Sequence, residues 1–236
     1  HTRSSAASDV YKRQIFGKAC LIALSTGLLT GLFVGGVLPL LEGVFGLTTE
    51  ISWLELSDLN HPLLRKMQIE APGTFHHSLI VASLAESAAE AIGANAVMSR
   101  VCAYFHDIGK LNKPEYFIEN QGGLNPHDPL TPTMSGLIIV AHVKDGVDLA
   151  IKNKLNPRIL DVIQEHHGDS LVYYFYRKAQ ERLQKHEVEE DHGATDSDDL
   201  PKVDEKSFRY PGPIPQTRES GIISLADAIE LSLIHI

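Results

Sequence analysis

Apolar and polar positions divide the chain into stretches of different period. Residues 19–41, ACLIALSTGLLTGLFVGGVLPLL, carry no charged side chain. At about 1.5 Å rise per residue such a run crosses a hydrocarbon core of about 30 Å with a little tilt. It is longer than the roughly 7–15 residues of a signal-peptide core, and a buried core helix seldom lacks a charge for so long. The pattern predicts a transmembrane helix over 15–46, with Glu42 at its far end. Gly27, Gly31 and Gly35 recur at four-residue spacing, which suits close packing against other transmembrane helices.

Residues 47–72 read as a linker helix, in which 48–55 leads into an amphipathic stretch over 54–69. The Pro72-Gly73 pair then breaks the pattern. From 73 to about 182 the apolar spacing is helical nearly throughout. Leu79, Ile80, Leu84, Ala88, Ala91 and Ile92 form an expected buried stripe. Val97, Val101, Tyr104 and Ile108, flanked by Ala103, form the next. Stretches 133–150 and 157–166 continue the theme, with Pro157 at a favourable helix start. Residues 122–132 hold three prolines and read as a loop. No alternating run is long enough for a sheet. Residues 187–207 are acidic and apolar-poor, which predicts a mobile loop. Pro211, Pro213 and Pro215 make a rigid connection, and 219–231 is helical again. Residues 1–14 and 232–236 do not continue the neighbouring patterns and read as foreign tails, so the chain is expected to be a fragment of something longer. The fold class expected is all-α: one transmembrane helix, then a helical bundle over 73–231.

Composition narrows the function classes. Two cysteines in 236 residues cannot build a disulfide scaffold. Thirty acidic against 21 basic residues give a net charge of −9. That disfavours a DNA or RNA polymer as partner, because phosphate affinity rests on clustered Lys and Arg. A nucleotide bound through cations is not excluded. The informative number is the twelve histidines.

The candidate chemistry lies at His76-His77, His106-Asp107, His142, His166-His167 and Asp227. Imidazole and carboxylate suit borderline or hard divalent metals such as iron, manganese or zinc. No thiolate cluster competes, since Cys20 lies in the apolar run and Cys102 stands alone. An adjacent His-Asp pair on a helix can offer one neutral nitrogen and one bridging carboxylate, and such a bridge sets two cations about 3.5–4 Å apart. Lys110 follows Asp107 at a spacing of three, near the same helix face. His61, His127, His186 and His192 read as loop or surface residues, with a site-facing loop as the alternative for His127. Glu119-Asn120-Gln121 either cap a short helical piece or contact substrate. The aromatic run 173–176 reads as core.

These residues carry a resemblance. His77 in HHSLIVA, His106-Asp107 in YFHDIGK, His142 in VAHVKDG, the pair in EHHGDSLVYYFY and Asp227 in SLADAIE resemble the HD phosphohydrolase superfamily. The ordered set, the NPHD segment and the membrane run ending PLLEGVFGLTTE look like the PgpH-type seven-transmembrane HD phosphodiesterases. The resemblance implies a membrane-anchored phosphodiesterase that opens cyclic di-AMP to linear pApA with a hydroxide activated by two metals. It implies two divalent ions, manganese or iron. One is held by His77, His106, Asp107 and Asp227. The other is held by Asp107, His142, His166 and His167. Lys110 is implied as a phosphate-binding or leaving-group residue, and His76 as a substrate-facing neighbour. The expected partners are the cyclic dinucleotide, membrane lipid, the other transmembrane helices of the parent protein and a second copy in a homodimer. The expected location is the bacterial cell membrane with the HD domain facing the cytoplasm. Lys18 before the apolar run argues the other way by the positive-inside rule. Lys12 and Arg13 fall in the foreign tail, however, and earlier helices of the parent also set orientation. Another HD nucleotide hydrolase, acting on cyclic di-GMP or guanosine tetraphosphate, is the alternative enzyme. No GYP tripeptide follows the HD pair, which disfavours the cyclic di-GMP branch. A non-catalytic membrane sensor module is the alternative of another class.

Overall fold

The computed structural model describes residues 2–45, 48–190 and 203–234. The described residues form α-helices and short 3₁₀ turns, with a single isolated bridge between Leu171 and Arg209 and no named strand. The chain divides into two units, His1–Ser52 and Trp53–Ile236.

The first unit is dominated by α1, Thr2–Phe45. Its span Tyr11–Leu38 is, among the described residues, the one helix long and apolar enough to cross a membrane, and none of it is buried. The helix runs unbroken through residue 14, so the change of pattern expected there leaves no mark on the backbone. A Cβ added at Gly27, Gly31 or Gly35 would meet nothing within 4 Å.

A short helix α2, Glu50–Leu56, leads into the second unit. The single linker helix expected over 47–72 is two helices. Asp58 Oδ1 accepts from the Asn60 backbone N–H at 2.9 Å and bends the chain. His61 then caps α3, Pro62–Glu70, through Nδ1, which accepts from Leu63 N at 3.3 Å. The break expected at Pro72-Gly73 falls between two helices: α3 ends at Glu70, and Pro72 opens α4, Pro72–Ala91. Proline suits this position because its missing N–H would be unpaired there anyway. The cap comes from far away: Asn120 Oδ1 accepts from Gly73 N at 2.9 Å and Thr74 N at 3.1 Å.

Helix α4 packs against α5, Ala96–Phe105, which is capped by Asn95. The face it buries differs from the expected stripe. Thr74, His77, Ser78, Val81, Ala82, Ala85 and Ala89 are buried, while Leu84, Ala88, Ala91 and Ile92 are exposed. Small side chains on the inner face let neighbouring helices approach closely; bulk alone would have selected the adjacent row.

Residues Ile108–Asn112, Pro114–Tyr116 and Ile118–Asn120 are 3₁₀ turns rather than continued α-helix. The prolines of 122–132 stay in a loop until Pro132 opens α6, Pro132–Lys152. Helix α7, Pro157–Glu165, is capped by Asn156 and packs on α6 and α5. Helix α8 spans Tyr173–Glu190, so the first part of the expected mobile loop is helical. Asp204 caps a 3₁₀ turn at Glu205–Phe208, and residues 191–202 of that predicted loop lie outside the described residues. Helix α9, Arg218–Ile234, returns across α4, α5 and α7. Leu64, Met67, Val81, Val101, Phe105, Ile108, Ile159, Ile163 and Ile223 form the fully buried centre. The histidines line one side of it.

Candidate metal centre

Helix α5 stops at Phe105, so the His106-Asp107 pair sits at a joint and not within a helix. His106 is the last residue in α geometry; Asp107 opens the 3₁₀ turn that follows. Both are buried, at 0% and 2% exposure. The tighter turn puts Lys110 directly over Asp107, with Lys110 Nζ 2.8 Å from Asp107 Oδ2.

Four imidazoles surround Asp107. His77 Nε2 is 3.5 Å and His106 Nε2 3.3 Å from its Oδ2; His142 Nε2 is 3.4 Å and His166 Nε2 3.7 Å from its Oδ1. Asp227 Oδ1 lies 3.0 Å from His77 Nε2, and its Oδ2 lies 3.7 Å from His167 Nδ1. Asp107, His142, His166 and His167 form one set whose ligand atoms all lie within 4.8 Å of one another, and His77, His106 and Asp107 form a second. Asp107 is common to both.

The rings are oriented by their outer nitrogens. His106 Nδ1 donates to Ala103 O at 2.7 Å, His142 Nδ1 to Ile139 O at 2.6 Å, and His166 Nδ1 to Ile163 O at 2.9 Å. Each acceptor is the carbonyl three residues back. A carbonyl only accepts, so Nδ1 carries the proton and Nε2 turns a lone pair inward. His142 Nε2 and His166 Nε2 lie 3.4 Å apart, two lone pairs with no proton between them in the neutral rings. His77 Nε2, His106 Nε2 and Asp107 Oδ1 are buried without a hydrogen-bond partner. Buried polar atoms are rarely left so. Inward lone pairs, anionic oxygens and unsatisfied buried atoms are the donor set a divalent cation satisfies.

The electrostatics agree. Burial alone would lower the His106 pKa, but the Asp107 and Asp227 carboxylates outweigh it and push the group up to about 10. A proton there takes the place of a cation. Burial would raise Asp107, yet Lys110 and His106 hold its carboxyl well below the usual range. Asp227 is likewise held well below that range, against burial, chiefly by His106. Burial lowers His166, and burial with its neighbouring imidazoles drives His167 lower still. Both rings are thereby kept neutral, the form that ligates a metal.

A cavity of about 740 Å³ opens beside the cluster. Lys110, His142 and His167 line its polar side; Phe117, Ile139, Val172, Phe175 and Tyr210 line its apolar walls. A second cavity, of about 340 Å³, lies near the start of α6 and away from the cluster.

His77, His106, Asp107, Lys110, His142, His166, His167 and Asp227 are therefore brought together. His76 is not: it is exposed, one residue and about 100° around α4 from buried His77. His76→Ala is expected to leave metal content and turnover near native, because exposed substitutions away from a site usually stay within about 0.5 kcal/mol. Metal analysis and a rate assay check this.

Sequence reasoning missed Glu230 and Tyr210, and it left the roles of His127, Glu119 and Asn120 open. Glu230 sits 2.6 Å from His77 Nδ1. Tyr210 stacks on His167 at 4.2 Å between ring centroids. His127 is buried, not a surface residue; its Nε2 donates to Tyr116 O at 2.9 Å and its ring lies 4.8 Å from Phe175. Glu119 accepts from Lys110 Nζ at 2.8 Å and from Thr74 Oγ1 at 3.0 Å, while Asn120 caps α4. Of these, Glu230 alone left a readable signal, three residues beyond Asp227 on one helix face.

Residues 74–232 match the HD domain family. The chain belongs to that family. Its HD domain is similar to known ones over most of its length. The chain is 42% identical over 218 residues to the cyclic-di-AMP phosphodiesterase PgpH of Bacillus subtilis strain 168, covering 92% of this chain and 28% of that protein. It is 45% identical over 199 residues to PgpH of Listeria monocytogenes, covering 84% of this chain and 25% of that protein. The crystal structure of the L. monocytogenes PgpH HD domain in complex with cyclic di-AMP superposes with a TM-score of 0.66 at 43% identity, covering 76% of this chain and 77% of that one. The chain thus spans about a quarter of the length of the curated relatives it matches.

Proposed function

We propose that the chain is the membrane-anchored HD phosphodiesterase part of a longer bacterial protein and hydrolyses cyclic di-AMP to linear pApA. The observation that carries this reading is the Asp107-centred cluster opening on the 740 Å³ cavity. It gains weight because the chain is 43% identical to an HD domain crystallised with cyclic di-AMP.

Two divalent cations, manganese or iron, fit the oxygen and imidazole donor set. His77, His106, Asp107 and Asp227 would hold one; Asp107, His142, His166 and His167 would hold the other. When bound, the cations supply an activated water and neutralise phosphate charge. Asp107 and Asp227 stay ionised for that purpose, and Tyr210 stacks on His167 to keep its ring in place. The apolar walls of the cavity suit an adenine ring. In the reaction the water oxygen forms a bond to phosphorus, the bond from phosphorus to the 3′-oxygen breaks, and that oxygen leaves with a proton.

Lys110 is the residue we assign to the phosphate oxygens or the leaving 3′-oxygen. Its ammonium is fixed between Asp107 and Glu119, each at 2.8 Å, and those carboxylates outweigh the effect of burial and keep it charged. Lys110→Gln is expected to lower kcat by about 10²-fold, the usual loss for one transition-state donor, while manganese content is retained. Steady-state kinetics with metal analysis separate the two.

Helix α1 anchors the protein among lipid and the other transmembrane helices of the parent, with open glycine positions for close packing. The HD domain then lies on the cytoplasmic side, where the nucleotide substrate is. The test is a substrate panel. The full chain in detergent, loaded with manganese or iron, is offered cyclic di-AMP, cyclic di-GMP and guanosine tetraphosphate. Preferential release of pApA is expected; equal turnover of the guanine nucleotides, or tight binding with no turnover, overturns the reading.

A further inference from the structure

Three of the four imidazoles around Asp107 are oriented by their own segment, each through the carbonyl three residues back. His77 is oriented differently. Its Nδ1 lies 2.6 Å from Glu230 Oε2, on a helix 153 residues further along. Both side chains are buried, at 2% and 5% exposure. An ionised carboxylate accepts and cannot donate, so this bond places the proton on Nδ1. The inner nitrogen, Nε2, is left with its lone pair turned toward Asp227 Oδ1 at 3.0 Å and Asp107 Oδ2 at 3.5 Å, and without a hydrogen bond. Helix α9 thus delivers two carboxylates from one face. Asp227 enters the cluster; Glu230, three residues on, stands behind His77.

A buried carboxylate is costly unless it is paired. A simple link between α4 and α9 would be served at less cost by an apolar contact, and both of these packed helices carry fully buried apolar residues, Ala85 on α4 and Ile223 on α9. The position of Glu230 relates it to the far side of a ligand ring, which is where a carboxylate fixes tautomer and raises ligand basicity.

We propose that Glu230 is a positioning residue of the metal centre: it locks His77 in the Nδ1-protonated form and sets the affinity of the His77, His106 and Asp107 side for a cation without touching that cation or the substrate. The inference rests on the metal reading above and is independent of which nucleotide is hydrolysed.

The test is a manganese titration of the full chain in detergent, with no nucleotide present, followed through the EPR signal of free Mn²⁺. Circular dichroism melts confirm the fold of each variant. Glu230→Ala is expected to weaken one class of site by about 10–100-fold and to leave the other unchanged. Glu230→Gln, whose amide oxygen still accepts from Nδ1–H, is expected to recover most of that loss. Unchanged affinity in the alanine variant overturns the inference. So does equal weakening of both classes with no recovery in the glutamine variant, the result of a purely structural link. A native chain that takes up no manganese overturns the metal reading and this inference together. Failure to open cyclic di-AMP, with the titration as expected, overturns the substrate reading alone.

Discussion

Asp107→Ala is expected to abolish phosphodiester hydrolysis, by more than about 10⁴-fold, because groups that act as a unit fail together when one is removed. Asp107 is the one side chain common to both candidate ligand sets. Its two oxygens face different imidazoles, Oδ2 toward His77 and His106 and Oδ1 toward His142 and His166. Removing them takes a ligand from each set at once and also takes from Lys110 one of the two carboxylates that hold it, leaving Glu119. The variant has a stability cost of its own, since deleting one member of a buried charged group typically costs about 3–5 kcal/mol. Asp107→Asn therefore accompanies it: the side-chain shape persists, the charge does not. Both variants should lose metal as well as turnover, measured by metal analysis and product assay on protein shown to be folded. Turnover retained in folded, metal-loaded Asp107→Asn would falsify the assignment of Asp107 as a bridging ligand. In the metal-free protein, loss of this carboxylate should also bring the His106 pKa down from about 10, because the adjacent anions are what outweigh burial there. An NMR titration reads that shift.

The legibility of the chain in its sequence followed the range of the interactions involved. Helix starts were readable where a local side chain and a proline cooperate, as at Asn156 and Pro157. The start of α4 is legible in the same way at Pro72, but its cap is not, because Asn120 lies 47 residues away along the chain. The buried face of α4 was misassigned for a related reason. Its inner row is chosen by how closely α5 and α9 approach, and Ala82, Ala85 and Ala89 permit that approach where Leu84 and Ile92 do not. Among the predicted site residues, the histidines and aspartates stood out through their order along the chain, which resembles the HD superfamily; a lone buried histidine such as His142 would read as hydrogen-bonded structure. The residues that orient them did not stand out. Tyr210 lies between a stretch rich in charge and the prolines at 211, 213 and 215, where no pattern singles it out, yet it stacks on His167. His127 sits in a proline-bounded loop and still reaches a buried wall of the cavity. Such partners are defined by contact across the fold, and composition or period carries no trace of them.

Gly109→Ala is the substitution expected to do most damage to the fold itself. A Cβ at this position would lie 1.8 Å from His142 O, 2.5 Å from Gly146 N and 2.8 Å from the His142 carbonyl carbon. All three are main-chain atoms of α6, so no side chain can swing aside. Gly146 faces it in turn, where a Cβ would meet Gly109 N at 3.3 Å and Ile163 Cγ2 at 2.9 Å. This pair of glycines lets the turn Ile108–Asn112 lie directly on α6. That contact is also what brings Asp107, two residues before Gly109, within 3.4 Å of His142. One methyl group must therefore push the two elements apart and open the metal centre along the same line. Overpacking ordinarily costs about 1–3 kcal/mol, and a contact made wholly by backbone should reach about 3 kcal/mol or more, since relaxation requires moving a helix. For a unit of this size, at roughly 2–4 °C per kcal/mol, Tm should fall by about 6–12 °C. The comparison variant is Gly122→Ala, in a loop where an added Cβ meets nothing within 4 Å and Tm should not move. What remains folded of Gly109→Ala should bind manganese poorly, since His142 is carried away from Asp107. A native melting temperature in that variant would show that the turn and α6 do not meet as described, and the route by which the fold assembles its metal ligands would have to be sought elsewhere.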